Sequence, residues 1–206
     1  MLGYKTIAGI SVYEHTEKRS RFVCVAAPTP DESAALALLE EIRARHPGAN
    51  HNCYAYILRA GSTQRYSDDG EPSGTAGMPI LNVLRHRQIV DAIVAVTRYF
   101  GGTLLGAGGL VRAYSLGAGL ALDSATVLNM QPCAVFSLEL PYHIYGKVQN
   151  LLAAFGAETL EDSFSDVVCL RARILADKLP AFEKDLAQIT AGSVSAVVLG
   201  KEFAPV

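Results

Sequence analysis

The sequence predicts an α+β chain of two domains, and three features point to it. Asp68 to Gly109 holds two glycine-rich loops, each leading into a helix-like segment, with an apolar strand between them. Thr126 to Cys133 (TVLNMQPC) marks a change of pattern, which places one domain at 1–128 and a second at 134–206. Beyond it the apolar residues run in the order β-α-β-β-α-β, that of a ferredoxin-like split βαβ unit.

Along the first domain, Lys5 to His15 alternates at Ile10 and Val12 and is expected as one strand. Glu14 to Arg21 is a charged connection whose Lys18, Arg19 and Arg21 either touch phosphate or face water. Phe22 to Ala26 follows as a second strand. Thr29-Pro30-Asp31-Glu32 predicts a helix start, with Thr29 as N-cap, Pro30 at the first position and Glu32 as reciprocal partner. Ala35, Leu38, Leu39 and Ile42 share its apolar face, and Pro47-Gly48 ends it. His51 to Leu58 reads as a third strand, with Cys53, Ala55 and Ile57 alternating against Asn52, Tyr54 and Tyr56. A helix is expected from about Met78, with Pro79 in its first turn. Ile93 to Val96 reads as a strand buried on both faces. A second helix of the stretch is expected from about Gly108 to Ser124, with Leu110, Tyr114, Ala118 and Ala121 on one side. Gly117 and Gly119 weaken it in isolation and suit a helix lying close against a sheet.

In the second domain Phe136, Leu138 and Leu140 alternate, then Ile144, Val148, Leu151 and Phe155 take helical spacing up to Gly156. A short strand-like stretch precedes Glu161. Val168, Leu170, Ala172 and Ile174 alternate, Phe182, Leu186 and Ile189 mark a helix, and Val194 to Leu199 a last strand. Arg171 and Arg173 share a strand's outer face, expected to be solvated.

The totals bound the possibilities. Half of the 206 residues are hydrophobic and 18% charged, enough for a core without covalent staples. Net charge is −2, and the first 112 residues carry 12 basic against 10 acidic side chains. That is not a body held on nucleic acid by bulk charge, so any RNA contact is local and directional. Cys24, Cys53, Cys133 and Cys169 lie far apart with no C-x-x-C, and are expected as reduced thiols, mostly buried. The N-terminus lacks the pattern of a signal peptide, and no apolar run reaches the ~18 residues of a spanning helix, so a cytoplasmic protein with no membrane partner is expected.

Ten of the 18 glycines fall between Gly70 and Gly119. Glycine suits a backbone that turns sharply or approaches a ligand closely. Both loops deliver backbone N–H groups at a helix N-terminus, a ready anion site. Ser73, Gly74 and Thr75 supply the first loop's donors. Gly101, Gly102, Gly106, Gly108 and Gly109 supply the second's, and Arg98 and Arg112 add cations. Asp68, Asp69 and Glu71 would repel a bare phosphate unless a metal such as magnesium, or cationic groups, intervene. The phosphate fingerprints fail: there is no G-x-x-x-x-G-K-[ST], and Val111 stands where G-x-G-x-x-G ends in Gly. Tight helix–sheet packing is the alternative use of these glycines.

DDGEPSGTAG, followed by PILNVL and then by VTRYFGG, LG, GGLVRAY, resembles the signature of the IMPACT/YigZ family, uncharacterised protein family 0029, in its bacterial form. Lys18 to Phe22 resembles the family's early K-x-S-R-F, and His46-Pro47 through His51-Asn52-Cys53 its H-P-x-A-x-H-x-C segment. Met78 stands where many members carry Lys. The resemblance implies a first domain like domain 2 of ribosomal protein S5, an α/β sandwich. It implies a second domain like domain V of elongation factor G. It also implies a regulator of translation, since the eukaryotic relative competes for an activator of a starvation-responsive kinase. On that basis the expected function is translation-associated binding, with the ribosome, RNA or a translation-regulating protein as partner. The glycine-rich face would meet RNA phosphate or an acidic segment. The alternative is a metal-assisted enzyme on a phosphorylated small molecule or nucleic acid, with His51 as acid or base and Asp68, Asp69 and Glu71 on magnesium. A third reading is a protein–protein adaptor whose glycines are architectural.

Overall fold

The computed structural model describes residues 2–205. It divides into two α+β units, Tyr4–Asn129 and the residues from Met130 onward, the latter with the extreme N-terminus. The N-terminal unit opens with β1 (Tyr4–Ala8), then β2 (Ser11–Glu17) and β3 (Ser20–Pro28), α1 (Glu32–Arg45), β4 (His51–Leu58) and β5 (Thr63–Ser67). It continues through α2 (Gly77–Arg87), β6 (Ala92–Tyr99) and α3 (Ala107–Asp123). Its main sheet has the order β2-β3-β6-β4-β5, and every pairing in it is antiparallel.

Helices cover both faces. On one, Ala35, Leu39 and Ile42 of α1 pack on Val25, Ala27, Tyr56, Leu58, Ile93 and Ala95. On the other, Ile80, Leu81 and Leu84 of α2 and Leu110, Tyr114, Ala118 and Ala121 of α3 pack on Phe22, Cys24, Cys53, Ala55, Val94 and Val96. Central β6 is therefore buried from Ala92 through Arg98, as its apolar run predicts, although its neighbours are antiparallel. Tyr56 is buried too, with its hydroxyl donating to Glu32 at 2.6 Å, so strand β4 alternates between two cores rather than between core and water.

Two local expectations are corrected. Lys5–His15 is two strands, parted at Gly9 with φ +67. The cap of α1 is Asp31, whose carboxylate accepts the Ala34 N–H at 2.8 Å. Thr29 Oγ1 instead bonds Asp31 O, and Glu32 is taken by Tyr56. The boundary segment 126–133 lies in β7 (Thr126–Leu140), a continuous strand.

In the C-terminal unit, β7 leads to α4 (Tyr142–Phe155), β8 (Glu158–Phe164), β9 (Val168–Leu175), α5 (Leu179–Ile189) and β10 (Val197–Pro205). These four strands have the order β10-β7-β9-β8, the ferredoxin-like arrangement that the β-α-β-β-α-β pattern predicts. Gly156 closes α4 in the left-handed region, at φ +66. Phe136, Leu138, Val148, Leu170, Phe182 and Leu186 form the core. Arg171 is exposed, but Arg173 is clasped between Glu158 and Glu202 rather than solvated. All four cysteines are unpaired, and three are buried. Among the described residues no helix is long and apolar enough to cross a membrane.

The two α3 glycines differ. A Cβ at Gly117 would run into Cys24 Sγ and lie 2.8 Å from the His15 ring, whereas one at Gly119 would meet only the end of the Arg87 side chain, at 3.4 Å. Gly117 thus lies against the sheet as expected, and Gly119 faces a flexible side chain. Gly117→Ala is predicted to destabilise by about 1–3 kcal/mol through overpacking. Gly119→Ala is predicted to be neutral or stabilising by up to about 1 kcal/mol through helix propensity. Urea unfolding of both variants measures the contrast.

Candidate functional site

The first glycine-rich loop is stitched shut from within. Asp68 Oδ1 accepts the N–H groups of Ala76 and Gly77 at 3.0 and 2.8 Å, and Oδ2 accepts that of Gly74 at 2.8 Å. A carboxylate of the chain thereby occupies the α2 N-terminus where the sequence suggests an external anion. Gly74, at φ +77, gives the loop its left-handed turn. The Thr75 hydroxyl donates to Pro72 O at 2.6 Å, and Ser73 is exposed. Met78 is half-buried against the core, so the usual lysine position here is apolar.

The three acidic side chains go separate ways. Besides Asp68, Asp69 Oδ2 accepts the Asn52 N–H at 2.6 Å. Glu71 is 8% exposed and its Oε1 accepts both Arg98 Nη1 at 2.6 Å and the Tyr114 hydroxyl at 2.7 Å. Among the described residues no group of three or more His, Cys, Asp or Glu side chains is placed to hold a metal ion. Asp68, Asp69 and Glu71 thus do not fit the expected magnesium site, because each carboxylate already serves a different donor.

Arg98 is likewise not the free cation the sequence suggests. Its side chain is 6% exposed and paired with Glu71, and Nη2 donates to Ser20 Oγ at 3.2 Å. Its guanidinium lies between the Phe22 and Phe100 rings, 5.7 and 5.6 Å from their centroids. Its Nε–H is buried with no acceptor. Burial holds the Tyr114 phenol far above its usual pKa, so it stays protonated and donates to Glu71. Burial likewise pushes the Cys53 thiol up to about 12, and its Sγ rests 3.0 Å from Asp68 O and 3.4 Å from the Tyr114 hydroxyl.

The second loop is different. Gly101 N–H bonds Ser20 Oγ at 3.3 Å, and a Cβ there would overlap the Arg19 carbonyl, so this glycine permits a close backbone approach. Gly102 and Gly106 are left-handed, at φ +79 and +73. Gly106 is the N-cap of α3 and supplies no side chain to it. The helical ladder begins with Leu110 N–H on Gly106 O at 2.9 Å, so the N–H groups of Ala107, Gly108 and Gly109 precede it without an intrahelical acceptor. Arg112 is exposed, and no carboxylate of the described residues pairs with it.

The two loops meet across a cleft of about 440 Å³. Glu71 and Pro72 line it from the first loop, Leu105, Gly106 and Ala107 from the second, with His51, Arg98 and Phe100 between. His51 Nδ1 is 2.8 Å from Asp69 O; a carbonyl only accepts, so Nδ1 carries the proton. The other nitrogen, Nε2, lies 3.9 Å from Glu71 Oε2, too far for a direct hydrogen bond. Gly70 also lines the cleft, whereas Ser73, Gly74, Thr75, Gly101, Gly102, Gly108, Gly109 and Arg112 are not among its lining residues. Sequence reasoning missed Tyr114, Ser20 and Phe100. The available signal was Tyr114 itself, a hydroxyl on the apolar face of a glycine-rich helix, which needs a buried partner.

Comparison with known proteins agrees on both units. Residues 18–122 match the family model described as Impact N-terminal domain, and residues 138–193 match one described as Domain of unknown function (DUF1949). The chain is 35% identical over 195 residues to IMPACT family member YigZ of Escherichia coli (strain K12), covering 93% of this chain and 95% of that protein. It is 34% identical over 96 residues to Protein IMPACT of Bos taurus, covering 44% of this chain and 30% of that one. A crystal structure of a hypothetical protein, 34% identical, matches with a TM-score of 0.62 and covers 97% of this chain and 98% of its own.

Asp68 generates a pH prediction. Burial raises its carboxyl pKa, but the N–H groups of Gly74, Gly77 and Ala76 outweigh that and hold it below the usual value. A depressed folded pKa stabilises above the unfolded value and loses that stabilisation as pH falls through the folded one. Asp68→Asn is predicted to cost about 1–2 kcal/mol at pH 7, like loss of a helix cap. The gap to the parent should narrow below about pH 4. Denaturant midpoints across pH 3–7 measure it.

Proposed function

The chain belongs to the IMPACT family, and from that premise we propose that it is a cytoplasmic, translation-associated binding protein that docks on ribosomal or other RNA through the second glycine-rich loop. One observation carries the proposal: α3 begins at the cleft, where Gly106 and Ala107 line it, and among the described residues no side chain caps its first-turn N–H groups. Helix N-termini of this kind favour phosphate oxygens. Glu71 does not oppose that, because Arg98 offsets its charge at 2.6 Å. Exposed Arg112, on the same helix, adds a cation. A net charge of −2 keeps the contact local, so few phosphates are neutralised.

One observation favours a second reading, an enzyme acting on a phosphorylated substrate. His51 Nε2 and Glu71 Oε2 face each other across 3.9 Å, and a substrate hydroxyl between them would find a proton acceptor. Under that reading His51→Leu abolishes turnover of such a substrate while leaving ribosome binding intact.

Ribosome co-sedimentation at graded potassium chloride tests the binding proposal. Affinity should fall with a log–log slope of about −1 to −3. Ala107→Asp, which places a carboxylate over the helix terminus, should weaken binding about tenfold or more, and Arg112→Ala several-fold with a slope shallower by about 1. Parental binding by both variants would overturn this docking face. Retention of an acidic peptide with no affinity for RNA or ribosomes would assign the loop to an acidic protein partner instead.

A further inference from the structure

We infer that the cleft is a site for one nucleotide at the 3′ end of an RNA strand; the inference rests on the RNA-docking reading and narrows it to a ligand. Its phosphate would sit at the α3 terminus, its base against Phe100, and its free 2′- and 3′-hydroxyls between His51 and Glu71.

Four features of the cleft converge on that ligand. First, Ala107 in the opening turn of α3, a 17-residue helix, lines the same cleft as Arg98, a residue only 5% exposed. Two of the arginine's nitrogens are committed to Glu71 and Ser20, while its Nε–H is buried without any acceptor. A buried unsatisfied donor is costly, and a ligand oxygen at the cleft would relieve it. The pairing of helix terminus and orphaned guanidinium N–H is suited to a phosphate, which offers several acceptor oxygens.

Second, the opposite wall holds polar atoms without a direct hydrogen bond among the described residues. Glu71 Oε1 already accepts two hydrogen bonds, and Oε2 accepts none among the described residues. His51 Nδ1–H donates to Asp69 O, which leaves Nε2 as the ring nitrogen facing Glu71 Oε2. A carboxylate oxygen and an imidazole nitrogen 3.9 Å apart suit the two adjacent hydroxyls of a ribose, each of which can donate or accept. Within an RNA strand the two hydroxyls are free together only at the 3′-terminal residue, and the 2′-hydroxyl is what separates RNA from DNA.

Third, the volume of about 440 Å³ is far more than a phosphate fills, and falls at the small-ligand end of binding sites. Fourth, the rim is apolar where a base would lie. Phe100 is 45% exposed and Leu104 82% exposed, and the Phe100 ring already lies beside the Arg98 guanidinium. An exposed aromatic at the mouth of an anion site is a sequence-tolerant stacking platform for a base.

Calorimetric titration with adenosine 5′-monophosphate, its 2′,3′-dideoxy analogue, adenosine and inorganic phosphate tests the assignment. The monophosphate should bind, with affinity falling about tenfold or more when either the phosphate or the two hydroxyls are removed. Phe100→Ala, a surface change, should weaken the monophosphate by about fivefold or more. His51→Leu should weaken it while leaving the dideoxy analogue unchanged, a coupling that loss of structure would not give. Inorganic phosphate binding as tightly as the monophosphate, or indifference to the hydroxyls, overturns the inference. If no mononucleotide binds while ribosome co-sedimentation persists and Ala107→Asp abolishes it, the inference fails and the RNA-docking reading stands. If co-sedimentation is absent too, both fall.

Discussion

Arg98 and Glu71 meet in the interior of the N-terminal unit, with side chains 6% and 3% exposed. Taking two charges out of water is expensive, and the attraction between them does not by itself make such a pair a source of stability. Its evident consequence is positional. Arg98 ends the central strand, Glu71 belongs to the first loop and Tyr114 to the third helix, and one carboxylate oxygen joins all three. Removing either charge would strand the other in a dry site. The cleft walls are therefore held in register by a bond set that cannot be broken piecemeal.

The two glycine-rich loops then take opposite fates. Each precedes a helix whose first N–H groups lack partners within the helix. In the first, Asp68 folds back and accepts three of the loop's N–H groups. In the second, no acidic residue lies between Gly101 and Gly109, and the N-cap is itself a glycine. The first loop is a finished structural device, and its other residues shape one wall. In the second, no side chain among the described residues caps the helix terminus.

Much of the fold was legible beforehand because apolar periodicity is a local signal. The buried run of β6, the face of α3 and the β-α-β-β-α-β order of the C-terminal unit could all be read directly. Element ends were less so. Asp31 rather than Thr29 caps α1, because Glu32 is claimed by Tyr56 from a strand 24 residues away. The site divided along the same line. Both loops line one cleft, but of the two helix N-termini expected to offer donors to an anion, the first is closed by Asp68. That Arg98 is spent on Glu71, and Asp68 on its own loop, depends on which charged group reaches which partner in three dimensions. Spacing along the chain carries no such information, and the same residues at the same intervals fit a magnesium cluster equally well on paper.

The central claim is that the second loop presents donors to a ligand while the first has already satisfied its own. Amide chemical shifts in the nitrogen-15-labelled protein, followed as a short single-stranded oligoribonucleotide is added, test it most directly. The account predicts dose-dependent movement of the Ala107, Gly108 and Gly109 resonances, with those of Gly74, Ala76 and Gly77 left in place. Movement centred on the first loop, or on neither, would contradict it.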